Sequence, residues 1–108
     1  MYVLKINEGE DLSIDSSYPV PSAFTLEQNY PNPFNPTTNI KYSLSSDSYV
    51  SLIVFHAAGQ VVKVLHEGFQ SKGSVKASFN GAELPSGIYF YQLKTNSAIQ
   101  TRKMSLLK

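Results

Sequence analysis

The sequence predicts an all-β fold, an antiparallel sandwich of about seven short strands. Apolar and polar residues alternate with a period of two in most segments after residue 38. Turn signals containing Gly, Pro or Asn recur roughly every 8–12 residues. No window of ten or more residues keeps a helical period free of Gly and Pro. These three observations favour a sandwich, with a partly open barrel as the alternative architecture.

The composition is that of one folded domain. Of the 108 residues, 42% are hydrophobic, and seven Tyr and six Phe supply large side chains for a core. The chain contains no Cys, which excludes a disulfide framework, a Cys-ligated metal site and a thiol nucleophile. The formal net charge of +1 argues against a nucleic-acid partner. No apolar run approaches the length of a membrane span, so we expect a chain that is not membrane-spanning.

Seven segments carry the pattern of a strand. Asn39–Ser45 places Ile40, Tyr42 and Leu44 on one face and polar residues on the other, which is typical of a half-buried strand. Tyr49–His56 is apolar on both faces, so we expect a central strand that is covered on both sides. The predicted strands are Phe24–Gln28, Asn39–Ser45, Tyr49–His56, Gln60–His66, Ser74–Asn80, Ile88–Thr95 and Ile99–Leu107, with a longer loop at Glu67–Gly73.

The segment Gly87-x-Tyr89-x-Tyr91 indicates which kind of sandwich this is. Immunoglobulin-like domains have Gly-x-Tyr-x-Cys after a corner turn, and the Tyr hydroxyl bonds back to the upstream backbone. Tyr91 stands here in the Cys position, which fits a core without disulfides. The alternative is that both are inward tyrosines of an ordinary strand. The predicted core consists of Ile40, Tyr42, Leu44, Val50, Leu52, Val54, Val75, Phe79, Tyr89, Tyr91 and Leu93.

Residues 1–22 have the composition of a lead-in or linker. Five of the six prolines lie between Pro19 and Pro36, and residues 1–27 carry five acids against one lysine, a net charge of −4. Residues 60–108 carry seven bases against two acids, a net charge of +5. Two interpretations follow: a solvated acidic linker joined to an ordinary basic surface, or a basic tail that a partner recognises. We predict the folded domain at residues 23–108.

Catalytic groups are scarce. His56 and His66 lie at the ends of neighbouring predicted strands, but a catalytic zinc site needs a third ligand, and Glu67 would point to the opposite face. The carboxylates Asp47, Glu67 and Glu83 all fall in predicted turns. No nucleophile elbow, P-loop or His-Glu-x-x-His motif is present. The sequence therefore predicts a protein that is not an enzyme, with no metal site and no cofactor.

One block of the sequence resembles a known family. Residues 24–37 resemble the opening of the C-terminal sorting domains of the type IX secretion system, which end large secreted proteins of certain Gram-negative bacteria. The specific block consists of Asn29, Tyr30, Pro31, Asn32, Pro33, Phe34, Asn35 and Pro36. Three further blocks match in order: a hydrophobic hairpin around Gly59, the segment with Gly87 and Tyr89, and a terminal strand at residues 101–108. Residues 1–22 also contain a short alternating stretch, Tyr2–Ile6, that resembles the last strand of a preceding fibronectin-like domain.

The resemblance implies a non-catalytic role as the address label of a larger secreted protein. Such a domain folds as an immunoglobulin-like sandwich in the periplasm and is recognised by the outer-membrane type IX translocon. A sortase-like peptidase then removes it, and the cargo protein is attached to surface lipopolysaccharide or released. The implied location is the cell surface or the exterior, and cleavage is expected in the exposed lead-in. The implied partners are the translocon, the peptidase and an upstream cargo domain in the same chain.

The terminal strand is the predicted recognition element. Met104 and Leu106 share a face and are expected to pack inward, while Arg102 and Lys103 flank the start of the strand and Lys108 carries its end. An edge strand offers unpaired N–H and C=O groups, which a receptor can extend by strand addition. The basic side chains would then fix register and partner choice. The alternative is that the tail merely closes the sandwich.

The alternative function is a structural or carbohydrate-binding sandwich module of a multidomain secreted enzyme. Sandwich modules bind sugars through exposed aromatic side chains, and Tyr18, Tyr30, Phe34 and Phe69 lie in predicted loops. Trp is absent. We expect these loop aromatics to pack against the ends of the sandwich instead.

Overall fold

The computed structural model describes residues 24–108, and the predicted lead-in at residues 1–22, with Tyr2–Ile6 and Tyr18, lies outside them. The described residues form seven strands and no helix. The strands are β1 (Phe24–Leu26), β2 (Thr37–Leu44), β3 (Ser48–His56), β4 (Val61–Gln70), β5 (Gly73–Asn80), β6 (Gly87–Lys94) and β7 (Ile99–Leu106). Within residues 24–108, we find no helix that is long and apolar enough to cross a membrane.

The strands form two antiparallel sheets. The three-stranded sheet has the order β1-β2-β5, and the four-stranded sheet has the order β4-β3-β6-β7. Alternation places one side chain of every two between the sheets, so each sheet buries one face against the other. The predicted all-β fold is confirmed, and the arrangement is consistent with an immunoglobulin-like sandwich.

The core lies between the two sheets and contains ten of the eleven predicted residues. Val75 is the exception, since it is only half-buried at the side of the core. It lies on β5, an edge strand whose first two residues, Gly73 and Ser74, are exposed. The buried hydrophobic residues are Phe24, Leu26, Phe34, Ile40, Tyr42, Leu44, Val50, Leu52, Val54, Phe79, Tyr89, Tyr91, Leu93, Met104 and Leu106.

The tyrosine corner predicted from the sequence is confirmed. The Tyr89 hydroxyl donates a hydrogen bond of 2.7 Å to the carbonyl oxygen of Pro85, four residues upstream. This bond fixes the turn before β6. Tyr91, in the position of the cysteine, is fully buried.

β4 is longer than predicted. The segment Glu67–Gly73, predicted as a loop, continues the strand to Gln70, and Glu67 therefore lies on a strand rather than in a turn. The register with β3 shifts twice, which leaves Leu65 and Val62 as extra residues on β4. The bulges lie in the predicted part of the strand, whereas residues 66–70 pair regularly with β3 but lack alternating apolar residues, so the sequence pattern fades although the pairing continues. Both extra side chains are partly buried against the core.

The four-stranded sheet has an outer face that no second layer covers within residues 24–108. β3 is a central strand as predicted, but Tyr49 is 53% exposed and Ile53 and Phe55 are only half-buried. The prediction that both of its faces are covered is therefore wrong for the described part of the chain. The outer face of the three-stranded sheet, by contrast, carries polar side chains such as Lys41 and Lys76.

Candidate functional site

The Asn-Tyr-Pro-Asn-Pro-Phe-Asn-Pro block forms an irregular segment that crosses from one sheet to the other. We call residues 28–36 the strap. It makes two isolated bridges, one between Tyr30 and Asn39 on β2 and one, in parallel orientation, between Phe34 and Leu106 on β7. The peptide bonds that precede Pro31, Pro33 and Pro36 are cis. With three prolines the strap cannot join a regular sheet, so it uses single bridges instead.

The strap occupies the outer edge of β7. The Phe34 N–H donates to the Ser105 carbonyl at 2.9 Å, and the Leu107 N–H donates to the Phe34 carbonyl at 2.9 Å. The side-chain oxygen of Asn32 accepts a bond of 3.0 Å from the Ser105 N–H. The expectation that β7 presents an open edge is therefore wrong at these positions, because the strap has satisfied the groups that strand addition would use.

Phe34 anchors the strap in the core. Its ring is 1% exposed and meets Phe79 edge-on, with 6.0 Å between the ring centroids. Gly81 lies beside it, and a β-carbon there would come within 3.0 Å of the Leu106 side chain and 3.4 Å of the Phe34 ring. The Gly81 N–H also donates to the Pro36 carbonyl at 2.7 Å. The absence of a side chain at residue 81 thus lets strap and terminal strand pack together.

Asn29 holds the other end of the strap through a buried polar network. Its backbone N–H donates to the Tyr91 hydroxyl at 2.8 Å, and its side-chain amide donates to Thr38 Oγ1 at 2.9 Å and to the Pro31 carbonyl at 3.1 Å. The Tyr91 hydroxyl donates in turn to the Glu27 carbonyl at 2.6 Å. Asn29 is 2% exposed and Thr38 is fully buried, so the network satisfies polar groups that have no access to water.

A comparison with known protein families identifies the region that contains the strap and β7. A family model described as the secretion system C-terminal sorting domain matches residues 28–106. The chain belongs to this family. No curated protein matches it. The match begins at the strap and ends on β7, so it takes in both partners of the contact described above.

The structure distributes the predicted tail residues of this sorting domain over two environments. Met104 and Leu106 are buried, as their inward face predicted. The Arg102 side chain is half-buried, and its Nε donates to the Leu26 carbonyl at 2.7 Å, which ties β7 to β1. Lys108 is exposed, and its Nζ donates to the Ala82 carbonyl at 2.6 Å. Lys103 is exposed, and its carbonyl accepts a bond of 2.7 Å from the Gln28 side chain.

The three remaining motif residues of the sorting domain lie outside the strap. Gly87 begins β6 opposite Leu106, and Tyr89 is the register partner of Met104, so both are placed beside the tail. Gly59 lies in the β3–β4 turn with a φ of 95°, a backbone conformation that favours glycine. The sequence pattern does not mark Thr38 or Gln28, because a polar residue just before or at the end of a predicted strand carries no sign of a buried or bridging role.

The two histidines of the sorting domain do not face each other. His66 is the register partner of Leu52, and His56 at the end of β3 bonds to Gln60 at 2.8 Å. Within residues 24–108, no group of three His, Cys, Asp or Glu residues could hold a metal ion. That the chain has no catalytic metal site stays a prediction, and the separation of the two histidines supports it.

The predicted loop aromatics differ in their surroundings. Phe34 packs into the core as expected, but Tyr30 is 78% exposed and does not pack against the end of the sandwich. Phe69 is 71% exposed and lies on β4 rather than in a loop. The expectation that the loop aromatics all pack against the sandwich is therefore wrong for these two.

The Tyr91 hydroxyl is the centre of the network, and its removal is a direct test. We expect Tyr91→Phe to lower the free energy of unfolding by about 1–3 kcal/mol, because the Asn29 N–H and the Glu27 carbonyl lose a buried partner. Chemical denaturation of the two proteins measures the difference. Tyr49→Phe, at a half-exposed side chain, is the control and should change stability by less than about 0.5 kcal/mol.

The same network predicts a pH dependence. Burial raises the pKa of Tyr91, although the bond from Asn29 and the charge of Arg102 act against this shift. A folded-state pKa above the unfolded one means that the unfolded chain releases the proton first, so the stability due to Tyr91 is present below pH ~10 and is lost above it. The difference in the free energy of unfolding between the parent and Tyr91→Phe should therefore narrow as the pH rises above ~10. A difference that widens with pH would contradict the conclusion that the protonated Tyr91 hydroxyl stabilises the fold.

Proposed function

We propose that this domain directs a larger cargo protein across the outer membrane through the type IX secretion system, and that it acts as a non-catalytic signal. Membership of the secretion sorting family supports the role as a sorting signal. The observation that carries the proposal further is the contact between the strap and β7. The two segments most typical of the family form one surface, so a receptor can meet both at once.

The recognition element in this proposal is the terminal strand together with the strap that covers it. Lys103 and Lys108 are exposed and Leu107 is 62% exposed, so these side chains are the ones that a translocon can contact directly. Met104 and Leu106 hold the strand in place from inside, and Arg102 positions it through Leu26. The translocon would then contact the exposed side chains of a terminal strand that the strap holds in place.

The fate of the domain after export is part of the same proposal. Residues 1–22 would connect the sorting domain at residues 23–108 to an upstream cargo domain. A sortase-like peptidase would cut in this acidic, proline-containing lead-in, whose composition suits an exposed linker. The cargo would then be attached to the cell surface or released, and no cofactor or catalytic residue of this chain takes part.

Export of a reporter fused upstream of residues 1–108 tests the recognition element. We expect a double substitution, Lys103→Gln and Lys108→Gln, to reduce export, because it removes the two exposed charges of the terminal strand. Thermal unfolding should shift by no more than a few degrees, since exposed charges contribute little to stability. Arg102 stays unchanged in this variant because its bond to Leu26 would add a folding defect.

A matched control keeps the experiment specific. Lys41→Gln together with Lys76→Gln removes two exposed charges from the three-stranded sheet and should leave export at the parent rate. If the Lys103 and Lys108 variant folds normally and is exported at the parent rate, the role of the basic tail is refuted. The alternative function, a structural or carbohydrate-binding module of a secreted enzyme, predicts that both double variants are exported at the parent rate.

A further inference from the structure

A cleft lies on the outer face of the four-stranded sheet, away from the strap. It has a volume of ≈ 350 Å³ and is lined by Tyr49, Ser51, Glu67, Lys94, Thr95 and Asn96. β3 forms its floor, β4 forms one wall, and the end of β6 with the turn that follows forms the other. The cleft therefore combines an aromatic ring, two opposite charges and an amide in one shallow concavity, which suits a small ligand that is rich in polar groups and has one apolar face.

An exposed aromatic residue of the cleft, Tyr49, has a second exposed aromatic residue, Phe69, next to it on the neighbouring strand. Tyr49 on β3 and Phe69 on β4 are register partners, and their side chains are 53% and 71% exposed. Directly opposed residues of an antiparallel pair have β-carbons about 5 Å apart, so the two side chains together offer an exposed apolar surface, which we call the platform. Large aromatic side chains normally bury most of their surface. A pair left open on a rigid strand pair is a surface available for a flat apolar partner.

The charged groups are placed on either side of the platform's end. Ser51 on β3 is the register partner of Glu67 on one side and of Lys94 on the other. Two strand spacings separate the Glu67 and Lys94 backbones, which amounts to about 10 Å. Among residues 24–108, neither side chain has a charged or hydrogen-bonded partner. Both groups are thus free to bond a ligand that lies between them over Ser51.

We propose that this cleft binds a pyranose sugar. A pyranose ring presents one apolar face of C–H groups, which fits the Tyr49 and Phe69 platform, and a rim of hydroxyl groups. Carboxylate and ammonium groups form strong, charge-assisted hydrogen bonds with such hydroxyls. A phosphate-bearing ligand is disfavoured because Glu67 would lie beside its negative charge. No residue that lines the site belongs to the strap or to β7, so the proposal is tested independently of the sorting role.

Titration of the full chain, labelled with ¹⁵N, with simple sugars tests this site. The probes are the methyl glycosides of glucose, galactose, mannose and N-acetylglucosamine, and the disaccharides maltose, cellobiose and diacetylchitobiose. We expect at least one of them to shift the amide resonances of residues 49–51, 67–69 and 94–96, with a dissociation constant in the millimolar range. Tyr49→Ala and Lys94→Ala should each weaken binding, the former by roughly tenfold.

The controls distinguish specific binding at this cleft from nonspecific binding to exposed aromatic side chains. Both substituted residues are exposed, so the variants should keep the thermal stability of the parent. Tyr30→Ala removes an even more exposed tyrosine ring on the strap and should leave the sugar affinity unchanged. The proposal is overturned if no probe shifts these amides at concentrations of tens of millimolar. It is also overturned if Tyr49→Ala and Lys94→Ala both bind the sugar as the parent does.

Discussion

Phe34→Ala is expected to lower the free energy of unfolding by about 3–5 kcal/mol, the range for truncating a buried phenylalanine. The ring is 1% exposed and fills the space between Phe79, Gly81 and Leu106. Because Phe34 also carries both backbone bonds from the strap to β7, its truncation should loosen the terminal strand as well. Urea denaturation measures the loss of stability, and hydrogen exchange at Ser105 and Leu107 measures the loosening.

The matched control is Phe69→Ala, which removes the same side chain from an exposed position on β4. It should change stability by less than about 0.5 kcal/mol. If Phe34→Ala costs no more than Phe69→Ala, the strap is not anchored in the core. If stability falls but exchange at residues 105 and 107 stays at the parent rate, the strap does not fasten β7.

Leu52→Ala is expected to cost about 2–5 kcal/mol, because it leaves a cavity at the centre of the four-stranded sheet. Leu52 is fully buried on β3, between His66 on β4 and Leu93 on β6. Leu107→Ala is the control, since that side chain is 62% exposed. Equilibrium unfolding of both variants supplies the comparison. A loss below about 0.5 kcal/mol for Leu52→Ala would show that the space is filled by other side chains.

The parts of the fold that the sequence predicts are those in which neighbouring residues alternate. Ile40, Tyr42 and Leu44 lie on one face of β2 because the strand is regular over its whole length. The corner at Tyr89 was predictable because a glycine, a tyrosine and their spacing together satisfy a local hydrogen bond. The second half of β4 was missed for another reason: it pairs regularly with β3, but Glu67, Gly68 and Gln70 give it no apolar alternation to detect.

The contacts of the strap could not be predicted from local pattern. Asn32 and Ser105 bond across 73 residues of chain, and no periodicity relates them. The same holds for Arg102, which looks like an exposed basic residue in the sequence but bonds to Leu26. The outer face of β3 shows a different limit. An apolar residue such as Tyr49 indicates that a surface is suitable for contact, but it does not indicate whether another layer of the same chain supplies that contact.

The pairing of the strap with β7 makes the folding of this domain depend on residues that are synthesised far apart in time. A chain made from its N-terminus presents the strap long before Ser105 and Leu107 exist, so the strap has no partner until the last strand has been made. Closing so long a loop is slow and is stabilised only by the contacts that follow it. A polypeptide that ends before Ser105 would keep Phe34 without its backbone partners. Only a chain that extends to Leu107 can then fasten its terminal strand to the strap, so the two ends of the folded domain stabilise each other.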